Sequence, residues 1–430
     1  MRVFYSFLFY LLLPIVVLRL YWRGRKAPAY RLRWRERFGF VASDLPSAAE
    51  LPVIWLHAVS VGESVAALPL IEQLLQRYPN HRLLISTSTP TGSAQVKKSL
   101  GNRVWHSYAP YDLPDSVYRF LNRVRPEIMI IMETELWPNT IAACAKRNIP
   151  VVLANARLSE KSAKGYGRLS SISHEMLQNL SYLAGQHEDD QARFIALGLP
   201  AERSQVTGNI KFDLTRSKEL LSTAASLKTQ WSCHGERIVF LAASTHRGED
   251  EQILTAFAAA RKACPRLLLV LVPRHPERFE EVLSLSRRQF SQVSCRSLEE
   301  DTNPANTPEQ AIVVADTMGE MMSLLGASDI VFVGGSLVPS GGHNMIEPAH
   351  WGLSILSGPS LYNFAEASRL LQQAGAMKVI SEQKAFEQEL SKLCLEPETR
   401  LAMGKRAMSV AESNRGALDK LLAIIDKIIR

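Results

Sequence analysis

The chain has 430 residues, 46% hydrophobic and 21% charged, which leaves room for two domains of ordinary size and argues against extended disorder. Its formal charge of +8 is gathered in residues 1–40, where Arg2, Arg19, Arg23, Arg25, Lys26, Arg31, Arg33, Arg35 and Arg37 face Glu36 alone. The rest of the chain is formally neutral, which excludes a nucleic-acid binder with a basic folded body. Cys144, Cys233, Cys264, Cys295 and Cys394 show no Cys-x-x-Cys spacing and read as reduced core residues of a cytosolic compartment.

The chain opens on Val3–Leu18, an apolar stretch without a charged residue and rich in aromatics. It is slightly short of the ~20 residues that span a bilayer. The arginines follow it rather than precede it, and no Ala-x-Ala site comes after. This pattern fits an uncleaved anchor better than a signal peptide. Positive charge after the anchor keeps the body on the cytoplasmic side and can hold anionic lipid headgroups.

Beyond the anchor, apolar β-forming runs alternate with amphipathic stretches. Val53–His57, Arg82–Thr87, Glu127–Met132, Val151–Asn155 and Gln205–Gly208 form one series. Ile238–Ala243, Leu267–Val272, Ile312–Ala315, Ile330–Val333 and Ser354–Ser357 form a second. Such alternation predicts an α/β chain with two doubly wound parallel sheets. The break is expected between Asp213 and Gln230, with 297–309 a turn-rich surface loop and Thr399–Arg430 helical. The expected segments are 1–40, 41–215 and 216–430.

Ligands of open α/β sheets bind beyond the carboxyl ends of the strands, so the loops there carry the argument. Val59-Ser60-Val61-Gly62-Glu63-Ser64 places Glu63 where a helix begins. It is either a capping carboxylate or a general base. Glu133 and Glu135 follow a strongly apolar strand, where an acid is costly unless used or paired. No histidine pair or Asp-x-Asp accompanies them, so no metal is expected. Lys211 follows the last strand of the first series, either as a solvated lysine or as a counter-charge. Arg274, after Pro273, offers a rigid fork of donors to a phosphate. Asp316-Thr317-Met318-Gly319-Glu320 could frame a base. Gly334-Gly335-Ser336 and Gly341–Glu347 have the strand–glycine loop–helix layout that brings N–H groups to a phosphate, with Glu347 placed to accept ribose hydroxyls.

Taken together, Ser60–Ser64, Glu133–Asn139, Gly208–Asp213, Pro273–Pro276, Asp316–Glu320 and Gly341–Pro348 resemble the Kdo transferases of Gram-negative bacteria. These enzymes move 3-deoxy-D-manno-octulosonic acid from CMP-Kdo to a lipid A precursor. The resemblance covers nearly the whole chain in order. It implies the GT-B arrangement, two Rossmann-like domains facing a cleft, with the final helices returning to the first domain. It further implies that Glu63 is the general base and that Glu133 and Lys211 stabilise the transition state. Pro273, Arg274, Met318, Gly319, Glu320, Asn344, Met345, Ile346 and Glu347 would then hold CMP. The implied location is the inner membrane, with no cofactor beyond the donor substrate and no nucleic-acid partner. Two other readings stand beside it: a GT-B transferase using a UDP-sugar, and a membrane-tethered nucleotide sensor without catalysis.

Overall fold

The computed structural model describes residues 1–41, 51–233, 235–298 and 311–429. The surface loop expected at 297–309 lies outside the described residues from 299 onward. The chain divides into two compact units: Met1–Asp213 together with Arg415–Arg430, and Leu214–Asn414.

Unit 1 is built on β1 (Val53–His57), β2 (Arg82–Thr87), β3 (Trp105–Tyr108), β4 (Pro126–Met132), β5 (Val151–Ala156), β6 (Tyr182–Gly185) and β7 (Ser204–Val206). They lie in the order β3-β2-β1-β4-β5-β6-β7, and every pair is parallel. Parallel strands are covered on both faces, which is why β4 reads as an almost unbroken apolar run, Ile128–Met132, with every residue buried. The helix Pro114–Val124 shows how the covering works. Proline starts it, and Val117, Phe120, Leu121 and Val124 form one buried stripe. Phe120 packs on Trp55 of β1 with ring centroids 4.7 Å apart. Its truncation to alanine would cost about 3–5 kcal/mol.

Unit 2 repeats the scheme with β8 (Val239–Thr245), β9 (Leu268–Pro273), β10 (Val293–Cys295), β11 (Ile312–Val314), β12 (Ile330–Val333), β13 (Ser354–Ser357) and β14 (Met377–Val379). The order is β10-β11-β9-β8-β12-β13-β14, again all parallel. In each sheet the winding reverses at one point, between β1 and β4 and between β8 and β12. Side chains and backbone groups are most open to a ligand at such a reversal.

The chain leaves unit 1 after Asp213 and comes back at Arg415. The Asp213 carboxylate accepts the Gly416 and Leu418 N–H groups at 2.5 and 2.7 Å. The helix Ala417–Ile429 then buries Leu421, Leu422 and Ile425 in the same core as Ile54, Leu56 and Ile130.

The first helix, Arg2–Lys26, is longer than the apolar run alone suggests and, Arg2 apart, carries its basic residues on its last turns. Its 25 residues extend about 37 Å, enough for a hydrocarbon core of about 30 Å. An 18-residue window within Arg2–Arg25 has mean hydropathy 2.2 and is only 6% buried. Val3, Phe7, Leu11, Ile15, Leu18 and Trp22 form an exposed apolar row at helical spacing. A hydrogen bond between Ser6 and Asn139 ties another side of the helix to unit 1.

Candidate active site

In unit 1 the reversal point collects charge. Ser60 caps the helix Val61–Ala66, its hydroxyl accepting the Glu63 N–H at 3.3 Å. The Glu63 carboxylate turns back to the Val59 N–H at 2.8 Å and the Ser60 hydroxyl at 2.9 Å. This is the reciprocal pattern of a capping box, so the capping role is real. It does not leave Glu63 an ordinary acid. Burial raises its pKa to about 7, against the lowering effect of the Val59 N–H, and the nearby Glu135 and Glu133 charges push the same way. A carboxyl poised there can take up a proton at neutral pH and release it again.

Glu133 ends β4 with φ of +57°, a left-handed backbone that costs a non-glycine residue free energy. Its N–H still bonds the Ala154 carbonyl at 2.9 Å, so the surrounding sheet holds the conformation in place. One carboxylate oxygen meets Lys211 Nζ at 3.0 Å and the other meets Arg157 Nε at 2.9 Å. Lys211 is therefore paired rather than merely solvated. Asn155, at the end of β5, is fully buried and left-handed as well, and its Oδ1 accepts the Ile210 N–H at 3.1 Å. That bond sets the short turn Ile210–Phe212, which carries Lys211 to Glu133. Glu135 has its pKa raised by burial and by Glu133, with a bond to Trp137 opposing the shift.

In unit 2 seven of the nine residues expected at the nucleotide line one pocket of about 270 Å³: Pro273, Arg274, Met318, Gly319, Glu320, Asn344 and Glu347. Met345 and Ile346 do not join them; both are 0% exposed and serve as core beneath the wall. The Arg274 guanidinium is exposed and has no bonded partner among the described residues, while its N–H bonds the Thr245 carbonyl at 3.0 Å. Glu320 is held by Thr317 and by Arg296. Glu347 has its pKa raised by burial, opposed by a bond to Asn344.

His343 also lines the pocket, with its Nε2 2.8 Å from that of His246. Burial lowers the His343 pKa to about 4, helped by the Arg274 charge, so at neutral pH its imidazole is uncharged. One ring of the pair must then donate to the other.

The glycine loop departs from the sequence expectation. The N–H groups of Gly335, Ser336 and Leu337 do not wait for a phosphate; all three donate to the buried Glu249 carboxylate. The helix after the loop, Ile346–His350, is only five residues long, and its Ile346 N–H is taken by Asn344 Oδ1 at 2.9 Å. Of the side chains that line this pocket, Arg274 carries a positive charge that can meet an anion.

Sequence reasoning missed Arg157, Asn155, Glu249 and the His246–His343 contact. Arg157 and Asn155 could have been found by position, since both stand at the carboxyl end of β5. Glu249 gave no such signal, because three of its four partners are 86 to 88 residues away.

The family described as 3-deoxy-D-manno-octulosonic-acid transferase (kdotransferase) matches residues 32–214. The 3-deoxy-D-manno-octulosonic acid transferase of Haemophilus influenzae is 42% identical over 99% of this chain and 98% of its own length. A probable mitochondrial 3-deoxy-D-manno-octulosonic acid transferase of Arabidopsis thaliana is 32% identical over 95% of this chain and 91% of its own. Among solved structures, the UDP-GlcNAc 2-epimerase of Neisseria meningitidis superposes with a TM-score of 0.59 at 15% identity, covering 88% of this chain and all of that one. At that identity the likeness speaks for the fold, a GT-B pair of doubly wound units. The near full-length identity to the Haemophilus enzyme settles the family: the chain is a member of the 3-deoxy-D-manno-octulosonic-acid (Kdo) transferases, glycosyltransferases of lipopolysaccharide biosynthesis.

Proposed function

We propose that this chain transfers Kdo from CMP-Kdo to a hydroxyl of a lipid A precursor in one displacement, with inversion at the anomeric carbon. The observation that carries the reading is the convergence of seven nucleotide-site residues on one pocket whose arginine, Arg274, has no bonded partner among the described residues. In this reading Arg274 takes the phosphate of the cytidylate, Glu347 accepts from the ribose, and the Met318-Gly319-Glu320 turn frames the base.

Glu63 receives the proton of the acceptor hydroxyl as that oxygen bonds to the anomeric carbon. The bond from that carbon to the phosphate oxygen breaks, and CMP leaves with the electron pair. Lys211, steadied by Glu133, offers positive charge to the carboxylate of the sugar. Charge on the leaving phosphate is matched by Arg274, so the scheme calls for no metal and no further cofactor.

The helix Arg2–Lys26 anchors the chain in the bacterial inner membrane, with both units on the cytoplasmic side. The basic residues that follow face anionic lipid. An acceptor that is itself an acylated phosphate ester is met at that surface.

The direct test is purified full-length protein with CMP-Kdo and a tetra-acylated lipid A precursor, with products weighed by mass spectrometry. Growth of the acceptor by one or more Kdo units is expected. Stabilisation against heat by UDP but not by CMP would overturn the donor.

A further inference from the structure

Two consecutive acids, Glu249 and Asp250, stand at the start of the helix Asp250–Ala263, and neither reaches solvent, at 0% and 1% exposed. Neither lines the nucleotide pocket. Glu249 spends its carboxylate on four backbone N–H groups. Oε2 accepts from His246 at 2.8 Å and Gly335 at 2.7 Å, and Oε1 accepts from Ser336 at 3.0 Å and Leu337 at 2.9 Å. Charge-assisted bonds of this kind are roughly twice as strong as neutral ones, and they satisfy an acid that would otherwise be costly to bury.

The four donors come from two different turns. His246 belongs to the turn after β8, and Gly335 to Leu337 belong to the turn after β12. These are the two turns at the reversal point of this sheet. Their approach is close: a Cβ on Gly334 would lie 2.5 Å from the Ser244 carbonyl oxygen and 2.8 Å from Thr245 Cα. The β12 turn in turn carries the pocket wall. Gly335 O accepts the Gly342 N–H at 2.8 Å and Gly334 O accepts the His343 N–H at 3.2 Å, directly before Asn344 and Glu347.

Asp250 does the matching work on the other side. It accepts the Thr245 hydroxyl at 2.6 Å and pairs with Arg278, whose second nitrogen bonds the Thr245 carbonyl at 3.1 Å. That same carbonyl holds the Arg274 N–H.

We infer that Glu249 is a positioning residue of the donor site: its buried carboxylate locks the turns after β8 and β12 together and so presets the His343–Glu347 wall before any nucleotide arrives. The inference rests on the reading of this pocket as the cytidylate site. Glu249 touches no substrate; it acts through backbone that would otherwise have to be ordered at the expense of binding.

The test is Glu249→Gln in the full-length protein. The side chain keeps its volume, but one acceptor oxygen becomes an NH2 group facing N–H donors. CMP affinity, measured by calorimetry well below the unfolding temperature, should fall roughly tenfold or more. The KM for CMP-Kdo should rise in step while the KM for the acceptor stays unchanged. Glu249→Asp, which keeps the charge but withdraws it by one methylene, should fall between the two. A folded Gln or Asp variant that melts earlier yet binds CMP like the wild type would reduce Glu249 to a stability residue and overturn the inference. Should the Gln variant not fold, the Asp variant decides on the same readout. Failure of the wild type itself to bind CMP would sink the pocket reading, and the inference with it, an outcome distinct from a defect confined to the variants.

Discussion

The two units share one architecture, though not one strand order, and use it for opposite ends. Both sheets are parallel and seven-stranded, and both reverse their winding beside the first strand of the unit. At the reversal in unit 1, burial brings Glu63 to about 7, and Glu133 sits on a strained backbone with both oxygens paired, to Lys211 and Arg157. At the reversal in unit 2, Glu249 and Asp250 are closely bonded, although burial still raises the Asp250 pKa. Glu249 has four N–H donors, and Asp250 has a hydroxyl and an arginine. The charge left open there is the cation Arg274. On the proposed function, the first arrangement serves as the reactive edge and the second as the nucleotide receptor. The difference lies in how far the protein completes the hydrogen bonding of its own buried acids.

The largest effect that would test this contrast belongs to Glu63. Glu63→Gln should lower transfer by about 10²–10⁴-fold while CMP still stabilises the protein against heat as in the wild type. Normal turnover by that variant would remove the reactive edge from the comparison. Next comes the receptor. Arg274→Ala should weaken CMP about ten- to hundredfold, measured by calorimetry, because a charged hydrogen-bond fork to phosphate is lost. Unchanged CMP affinity would mean that another group carries the anion.

The smallest effect is one of stability and pH. The Glu63 pKa is raised in the folded protein, from 4.5 to about 7, so the folded state holds this proton more tightly than the unfolded chain does. Its contribution to stability is therefore complete below about 4.5 and is lost as pH rises through about 7. A neutral glutamine does not lose it. The Gln variant should gain thermal stability relative to the wild type on the alkaline side of that range and show little difference on the acidic side. Parallel melting curves across the range would mean that Glu63 is satisfied like Glu249 of unit 2.

Legibility in the sequence followed burial. β1, β2, β12 and β13 match their expected bounds, because these strands are paired on both sides and, Arg82 apart, buried at every residue. β3, β6, β10 and β14 went unread. They are three or four residues long, and Trp105-His106-Ser107-Tyr108 and Met377-Lys378-Val379 show neither a continuous apolar run nor a clean alternation. Candidate site residues stood out where they followed a readable strand, as with Glu63, Glu133 and Arg274. The glycine loop misled, because a row of N–H groups suited to a phosphate suits an internal carboxylate equally well.

Residue order alone set the alternation of strand and helix, the apolar opening with its basic flank, and the loops in which chemistry could reside. Those are local properties, written in side-chain pattern over a few turns. Which acid is spent and which is kept in play was decided only when distant turns met. Whether Glu63 or Glu249 finds enough N–H groups depends on backbone brought in from elsewhere in the chain, and a carboxylate's proton affinity is set by those neighbours and by the water they exclude.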